Sequence, residues 1–237
     1  MIKFLETKSN TITDTTLSEK FHNKKVLVIG AGPSTNEVKW QLLEYDTIVT
    51  TTHFYLNETI KNLPLSHVTL SEIIDFNNKD LYHFLDNNPN CTLAFEPKPG
   101  RPFYTTDVFK NFEKKYRERL IYYNTNIDTL EGAAGRLAYF VSSFGHSELY
   151  YIGIDGKSPN KNQDPIGAFR PIYGDTDGYS YERFKESHMK MANALYEQSK
   201  KTNTKLFNLG EGLHYNCSSD YSKVYYPLPP SILNIIN

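Results

Sequence analysis

The passage Val26-Leu27-Val28-Ile29-Gly30-Ala31-Gly32-Pro33-Ser34 constrains this chain more than any other. Four consecutive apolar residues suit a parallel strand buried on both faces, where no polar alternation is needed. The glycines end the run abruptly, let the backbone approach a ligand, and leave N–H groups to face an anion at the start of a helix. Thr35 stands where the dinucleotide fingerprint asks for a third glycine, and Pro33 removes one helix N-terminal donor. A simple dehydrogenase is therefore disfavoured, and the lack of a Walker lysine motif disfavours an ordinary P-loop NTPase. A purely structural strand-to-helix turn capped by Ser34 is the alternative reading.

From this turn a helix is expected to about Leu43. Thr47–Thr50, His67–Leu70 and Cys91–Ala94 are strand candidates separated by short helical stretches. Val108–Arg119 reads as a helix and Leu120–Tyr123 as a strand. Leu130, Ala133, Ala134, Leu137, Ala138, Val141 and Phe144 recur at helical spacing, with Gly145 at the expected stop. Glu148–Asp155 reads as a central strand with an acid at its carboxyl end, Tyr181–Lys200 as a helix, and Lys205–Asn208 as a last strand. The alternation predicts an α/β, Rossmann-like, mostly parallel sheet with helices on both faces. Residues 156–180 hold too many Gly and Pro for a regular element and are expected to form a long loop or lid. Residues 1–23 are expected to be a flexible N-terminal arm, with 24–237 forming a single domain.

Composition narrows the function classes. With 39% hydrophobic residues, 22% charged and a formal net charge of −1, neither disorder nor a globally basic nucleic-acid binder fits. The 18 Tyr and 14 Phe can build a core and also offer flat faces and hydroxyls to sugars or bases. Cys91 and Cys217 have no metal-ligand spacing, and His146 and His214 complete no metal set. A reducing cytoplasm is the default location. No apolar run approaches the ~20 residues a membrane helix needs, so membrane contact would be peripheral at most.

The opening turn, Phe54-Tyr55 after the second strand, and the run Gly145-His146-Ser147-Glu148-Leu149-Tyr150-Tyr151-Ile152-Gly153-Ile154-Asp155 together resemble the bacterial sialyltransferases of glycosyltransferase family 42. They also resemble the related family that includes the hydroxymethylpterin diphosphokinase-like proteins. The resemblance spans roughly residues 24–215. It implies a metal-independent transferase that needs no cofactor and takes a nonulosonic acid, such as sialic acid, from a CMP-linked nucleotide-sugar donor to a glycan acceptor. It would set Gly30 and Gly32, with Pro33 and Ser34, beside the nucleotide. Thr52 and His53 would stand where the family keeps polar donor-binding side chains. Gly132 and Ala133 would line the nucleotide at a helix N-terminus where the family has Thr-Ser-Gly, and Asp155 would meet a ribose or orient a loop. His188 lies close to the family's general base. An imidazole titrates near neutral pH and suits removal of a proton from an acceptor hydroxyl. His188 also shares a helical stripe with Phe184, Met191 and Leu195, so a half-buried structural histidine is the competing reading.

The family's phosphate-holding tyrosines correspond by spacing to Lys157 and Gln163. Lys157, Lys161 or Arg170 can stabilise a departing phosphate instead, with Tyr173, Tyr179 or Tyr181 adding hydroxyls. Asp175-Thr176-Asp177 matches the Asp-x-Asp of metal-dependent glycosyltransferases but reads as a turn in its Gly-rich setting. Two other function classes stand beside the first: an ATP- and Mg²⁺-dependent diphosphokinase acting on a small heterocycle, and a non-catalytic nucleotide-binding module. Oligomeric state is left open. Gly32→Val is expected to block nucleotide binding; tight binding retained by that variant would make the opening turn structural only.

Overall fold

The structure, a computed structural model, describes residues 3–4, 14–71, 74–97, 102–127, 133–145, 148–154, 181–210, 230 and 232. Among the described residues eight strands form one sheet: β1 (Lys3–Phe4), β2 (Lys25–Ile29), β3 (Thr47–Thr51), β4 (His67–Leu70), β5 (Thr92–Phe95), β6 (Leu120–Asn124), β7 (Glu148–Ile152) and β8 (Lys205–Asn208). Their order is β1-β6-β5-β4-β3-β2-β7-β8. Every pairing is parallel except that of β1 with β6. The α/β, Rossmann-like expectation therefore holds, with one short antiparallel edge strand.

The sheet is covered on both faces, which is why its strands read as apolar runs. Val26, Val28, Val49, Ile121 and Leu149 face one way, towards α1 (Asp14–Phe21), α5 (Ala133–Ser142) and α6 (Tyr181–Thr202). Leu27, Ile29, Ile48, Leu93 and Phe95 face the other, towards α3 (Lys79–Asn87) and α4 (Asp107–Tyr116). Asn78 caps α3 and Thr106 caps α4, each side-chain oxygen accepting from backbone N–H groups of the first turn. On the α3/α4 face, Phe95 meets Phe109 and Phe112 edge-to-face, at centroid separations of 5.3 and 6.3 Å. Much of the aromatic content is thus spent on the core, so its abundance says little about a sugar site. No helix among the described residues is long and apolar enough to cross a membrane.

Three segments differ from expectation. Residues 3–4, placed in the flexible arm, pair with the edge strand β6 as β1. Residues 14–21, placed in a loose arm by their Thr- and Ser-rich composition, form α1 with Leu17 and Phe21 fully buried. Lys20 anchors this helix across the amino end of the sheet, its Nζ donating to Asn90 O at 2.7 Å and Ser66 O at 3.2 Å. The helix expected from the opening turn to Leu43 stops early: α2 covers only Ser34–Glu37, Val38 is extended, and Trp40–Leu42 makes a 3₁₀ turn. Thr35, Asn36 and Val38 are weak helix formers, and Trp40 Nε1 takes the Thr35 carbonyl at 2.8 Å that a continuing helix would need for its own backbone.

Beneath α5 lies a buried histidine that sequence reading did not single out. His67 stacks on Phe140 at 5.3 Å and meets Phe21 edge-on. Thr92 Oγ1 donates to Ser66 O, so it accepts from His67 Nδ1 at 2.7 Å, which leaves Nε2 to accept from Thr69 Oγ1 at 3.4 Å. The imidazole is therefore neutral, and burial, with Lys20 adding to it, lowers its pKa from 6.5 to about 3. A lowered pKa in the folded state means this contribution to stability is complete above pH ~6.5 and is lost as pH falls towards 3. Wild type is expected to lose on the order of 2 kcal/mol to this group between pH 7 and 4.5. His67→Gln, which keeps a donor and an acceptor but cannot titrate, should show a shallower acid limb in urea titrations. Equal limbs would mean that His67 takes up its proton in the fold without cost.

Candidate functional site

From β2 the chain steps outward through β3, β4, β5 and β6 on one side, while β7 and β8 lie on the other, so the sheet reverses direction between β2 and β7. Such a reversal places the ligand crevice of an open α/β sheet at the carboxyl ends of its two central strands. Here those ends are Gly30 and Gly153. They touch backbone to backbone: a Cβ on Gly30 would collide with Gly153 O, and one on Gly153 with Thr35 Oγ1 and Gly30 O. Gly153 also has φ +71°, a region open to glycine but strained for other residues.

Hydrogen bonds close this junction. Gly30 N donates to Ile152 O at 2.7 Å and Gly32 N to Gly153 O at 2.9 Å. Ser34 Oγ accepts from Gly153 N at 3.0 Å, and Thr35 Oγ1 donates to Gly30 O at 2.9 Å. Two local expectations are corrected by these bonds. Ser34 is the first residue of α2 rather than its cap; Pro33 holds the cap position, and the serine hydroxyl is turned to β7. The N–H groups of Gly30 and Gly32 are committed to the carbonyls of Ile152 and Gly153, and those of Thr35 and Asn36 bond to Gly32 O and Pro33 O, so this turn offers close backbone approach rather than those donors.

The longer helix that starts against Gly30 is α5. Ala133 opens the helix, and Ala134 Cβ lies 3.1 Å from where a Gly30 Cβ would be. The fold thus brings together the two turns that sequence reading had picked separately. At the end of β3, Thr52 ties β3 to β4, its Oγ1 donating to Ser71 Oγ at 3.0 Å and accepting from Ser71 N at 2.8 Å. His53 follows in the left-handed region at φ 69°, buried, with its ring 6.1 Å from that of Tyr55. A non-glycine residue held there costs on the order of 1 kcal/mol or more and is typical of sites whose geometry matters.

His188 is buried on α6, on the face whose Met191 and Leu195 pack into the α5 layer. Both helices run back from the carboxyl edge, and the α5 stop at Gly145 lies beside Thr202 O. His188 lies on the same side of the sheet as α5.

One cluster at this edge escaped sequence reading. Glu96 follows β5, Thr125 follows β6, and Arg136 sits one turn into α5. Arg136 Nη1 pairs with Glu96 Oε2 at 2.9 Å, and the side chains are only 12% and 10% exposed. The available signal was an acid placed directly after a strand, the same signal that drew attention to Asp155. Gly132, Asp155, Lys157 and Tyr173 lie outside the described residues, as do Lys161, Arg170, Tyr179, Asp175, Asp177, His146, His214 and Cys217. Of Tyr181 only its place at the start of α6 is described. Among the described residues no cluster of His, Cys, Asp or Glu could hold a metal ion.

No protein-family model and no curated protein matches this sequence. Solved structures do. The chain is similar to the sialyltransferase CstII from Campylobacter jejuni in complex with a substrate analogue, cytidine-5'-monophosphate, at 16% identity and TM-score 0.54, covering 80% of this chain and 81% of that one. It is similar also to CstII in complex with CMP-3FNeuAc, at 16% identity and TM-score 0.51, covering 79% of this chain and 82% of that one. At this identity the likeness is one of fold.

The junction between β2 and β7 leads to a direct expectation. Gly153→Ala adds a collision with Thr35 and a strained φ at once and should destabilise the protein by about 2 kcal/mol or more in chemical denaturation. A loss within about 0.5 kcal/mol, the range of ordinary surface substitutions, would mean that the two strand ends can separate freely.

Proposed function

We propose that this protein is a glycosyltransferase that moves a nonulosonic acid, sialic acid among the candidates, from a CMP-linked donor to a hydroxyl of a glycan acceptor. The observation that carries the reading is the likeness over about four-fifths of both chains to a sialyltransferase fold solved with CMP and with CMP-3FNeuAc. The opening turn, Thr52-His53 and the start of α5 line one edge of the sheet and suit contact with the nucleotide. His188, on a helix of the same layer as α5, is the candidate general base.

In the proposed reaction the His188 imidazole takes the proton of the acceptor hydroxyl as its oxygen attacks the anomeric carbon of the donor. The bond from that carbon to the phosphate oxygen breaks, and CMP leaves with the electron pair. Lys157, Lys161 or Arg170, with Tyr173, Tyr179 or Tyr181, are the candidates to stabilise the charge on the departing phosphate. Asp155 and Gly132 are candidates for contacts to the donor. The proposal assigns both proton removal and phosphate stabilisation to side chains and invokes no cofactor.

Two measurements test this. A thermal-shift series with CMP, UDP, ADP and ATP, each with and without Mg²⁺, should show the largest rise for CMP without metal, since a ligand of the native state raises its melting temperature. An ATP response that requires Mg²⁺ would favour the diphosphokinase class instead. His188→Ala should reduce transfer from CMP-sialic acid to background while leaving CMP affinity within a few-fold. Unchanged turnover in that variant would return His188 to a structural role.

A further inference from the structure

The guanidinium of Arg136 joins three separate parts of the carboxyl edge. Its Nη1 donates to Glu96 Oε2 at 2.9 Å and to Thr125 Oγ1 at 3.1 Å, and its Nη2 donates to Ile127 O at 3.1 Å. Glu96 Oε1 in turn accepts from the Thr125 amide at 2.7 Å and the Thr125 hydroxyl at 2.6 Å. One planar fork therefore ties the first turn of α5 to the ends of β5 and β6. The same turn, two residues earlier, presses Ala134 against Gly30 at the end of β2.

We infer that Arg136 and Glu96 are a positioning pair for the donor nucleotide: by tying the first turn of α5 to β5 and β6, they set its distance from the Gly30 turn. The nucleotide half of this inference rests on the glycosyltransferase reading above; the helix half does not. The pair also explains how a carboxylate can lie almost buried at an edge proposed to receive a phosphate. Arg136 neutralises Glu96, and Thr125 fills its other oxygen, so its charge is met within the protein. A lysine could keep the charge pair but could not reach Glu96, Thr125 and Ile127 O at once with a rigid fork.

The test compares Arg136→Lys, which keeps the charge, with Glu96→Gln/Arg136→Met, which removes both charges and avoids stranding one of them. Hydrogen exchange is read along α5. The amides of Leu137, Ala138 and Tyr139 bond to the carbonyls of residues 133–135 and report the first turn, while those of Phe140, Val141 and Ser142 report the helix beyond it. In both variants the first group should exchange roughly tenfold faster, with the second group and the β2 amides unchanged. CMP affinity measured by calorimetry should weaken by about tenfold, and the melting temperature of Arg136→Lys should stay within a few degrees of wild type. Unchanged exchange in both folded variants would overturn the inference. So would a rise shared equally with β2 and the end of α5, because it would make the pair a general core contact. Local loosening in a protein that does not bind CMP even as wild type would support the positioning of the helix and overturn the donor reading.

Discussion

The close approach of Gly30 and Gly153 is the constraint on which the rest of this structure depends. Two central strands end side by side, and the chain leaves them in opposite directions across the sheet. The turns can share that space only without side chains at these two positions. The hydroxyls of Ser34 and Thr35 then bond the turns together, so the first βα connection and the end of β7 form one rigid unit. That unit brings α5 close to β2, and α5 in turn determines what stands at the carboxyl edge.

A consequence concerns how such an edge can receive an anion. In a fold of this type the opening glycine turn commonly supplies N–H donors to a phosphate. Here the amides of Gly30 and Gly32 are spent on Ile152 and Gly153, and α2 is only four residues long. The ten-residue α5 begins beside Gly30, and its first turn is tied to two further strand ends by Arg136. The longer helix that starts against Gly30 thus belongs to the crossover from β6 to β7, not to the first one.

Much of the fold was legible in the residues. Strands buried on both faces announce themselves as short apolar runs, and β2, β3, β4, β5, β6, β7 and β8 fall within a residue or two of expectation, except that β7 ends three residues early, at Ile152. The α5 periodicity and its stop at Gly145, which has φ +74°, are equally local signals. The misreadings came where tertiary contacts outweighed local preference. An i, i+4 pair, Leu17 and Phe21, amid polar residues is too little to reveal a helix until a sheet is present to bury it. The expected helix through Leu43 ended because the indole of Trp40 competes for a backbone carbonyl, which periodicity cannot reveal.

For the site the division is sharper. Gly30, Gly32, Ala133 and His188 could be chosen from the sequence because each belongs to a local pattern: a turn, a helix start, a histidine on a helical stripe. That Gly30, Gly32 and Ala133 meet at one edge could not be read there, because it follows from strand order, and strand order is decided by which apolar faces pack together. Glu96, Thr125 and Arg136 make the same point, since they are separated by 29 and 11 residues and meet only once β5, β6 and α5 are in register. By itself the sequence determined most of the elements and their alternation, since hydrophobic period and turn chemistry act over a few residues. Only the tertiary structure decided which N–H groups are already used, which charges are paired and which turns meet, because those depend on contacts between segments far apart in the chain.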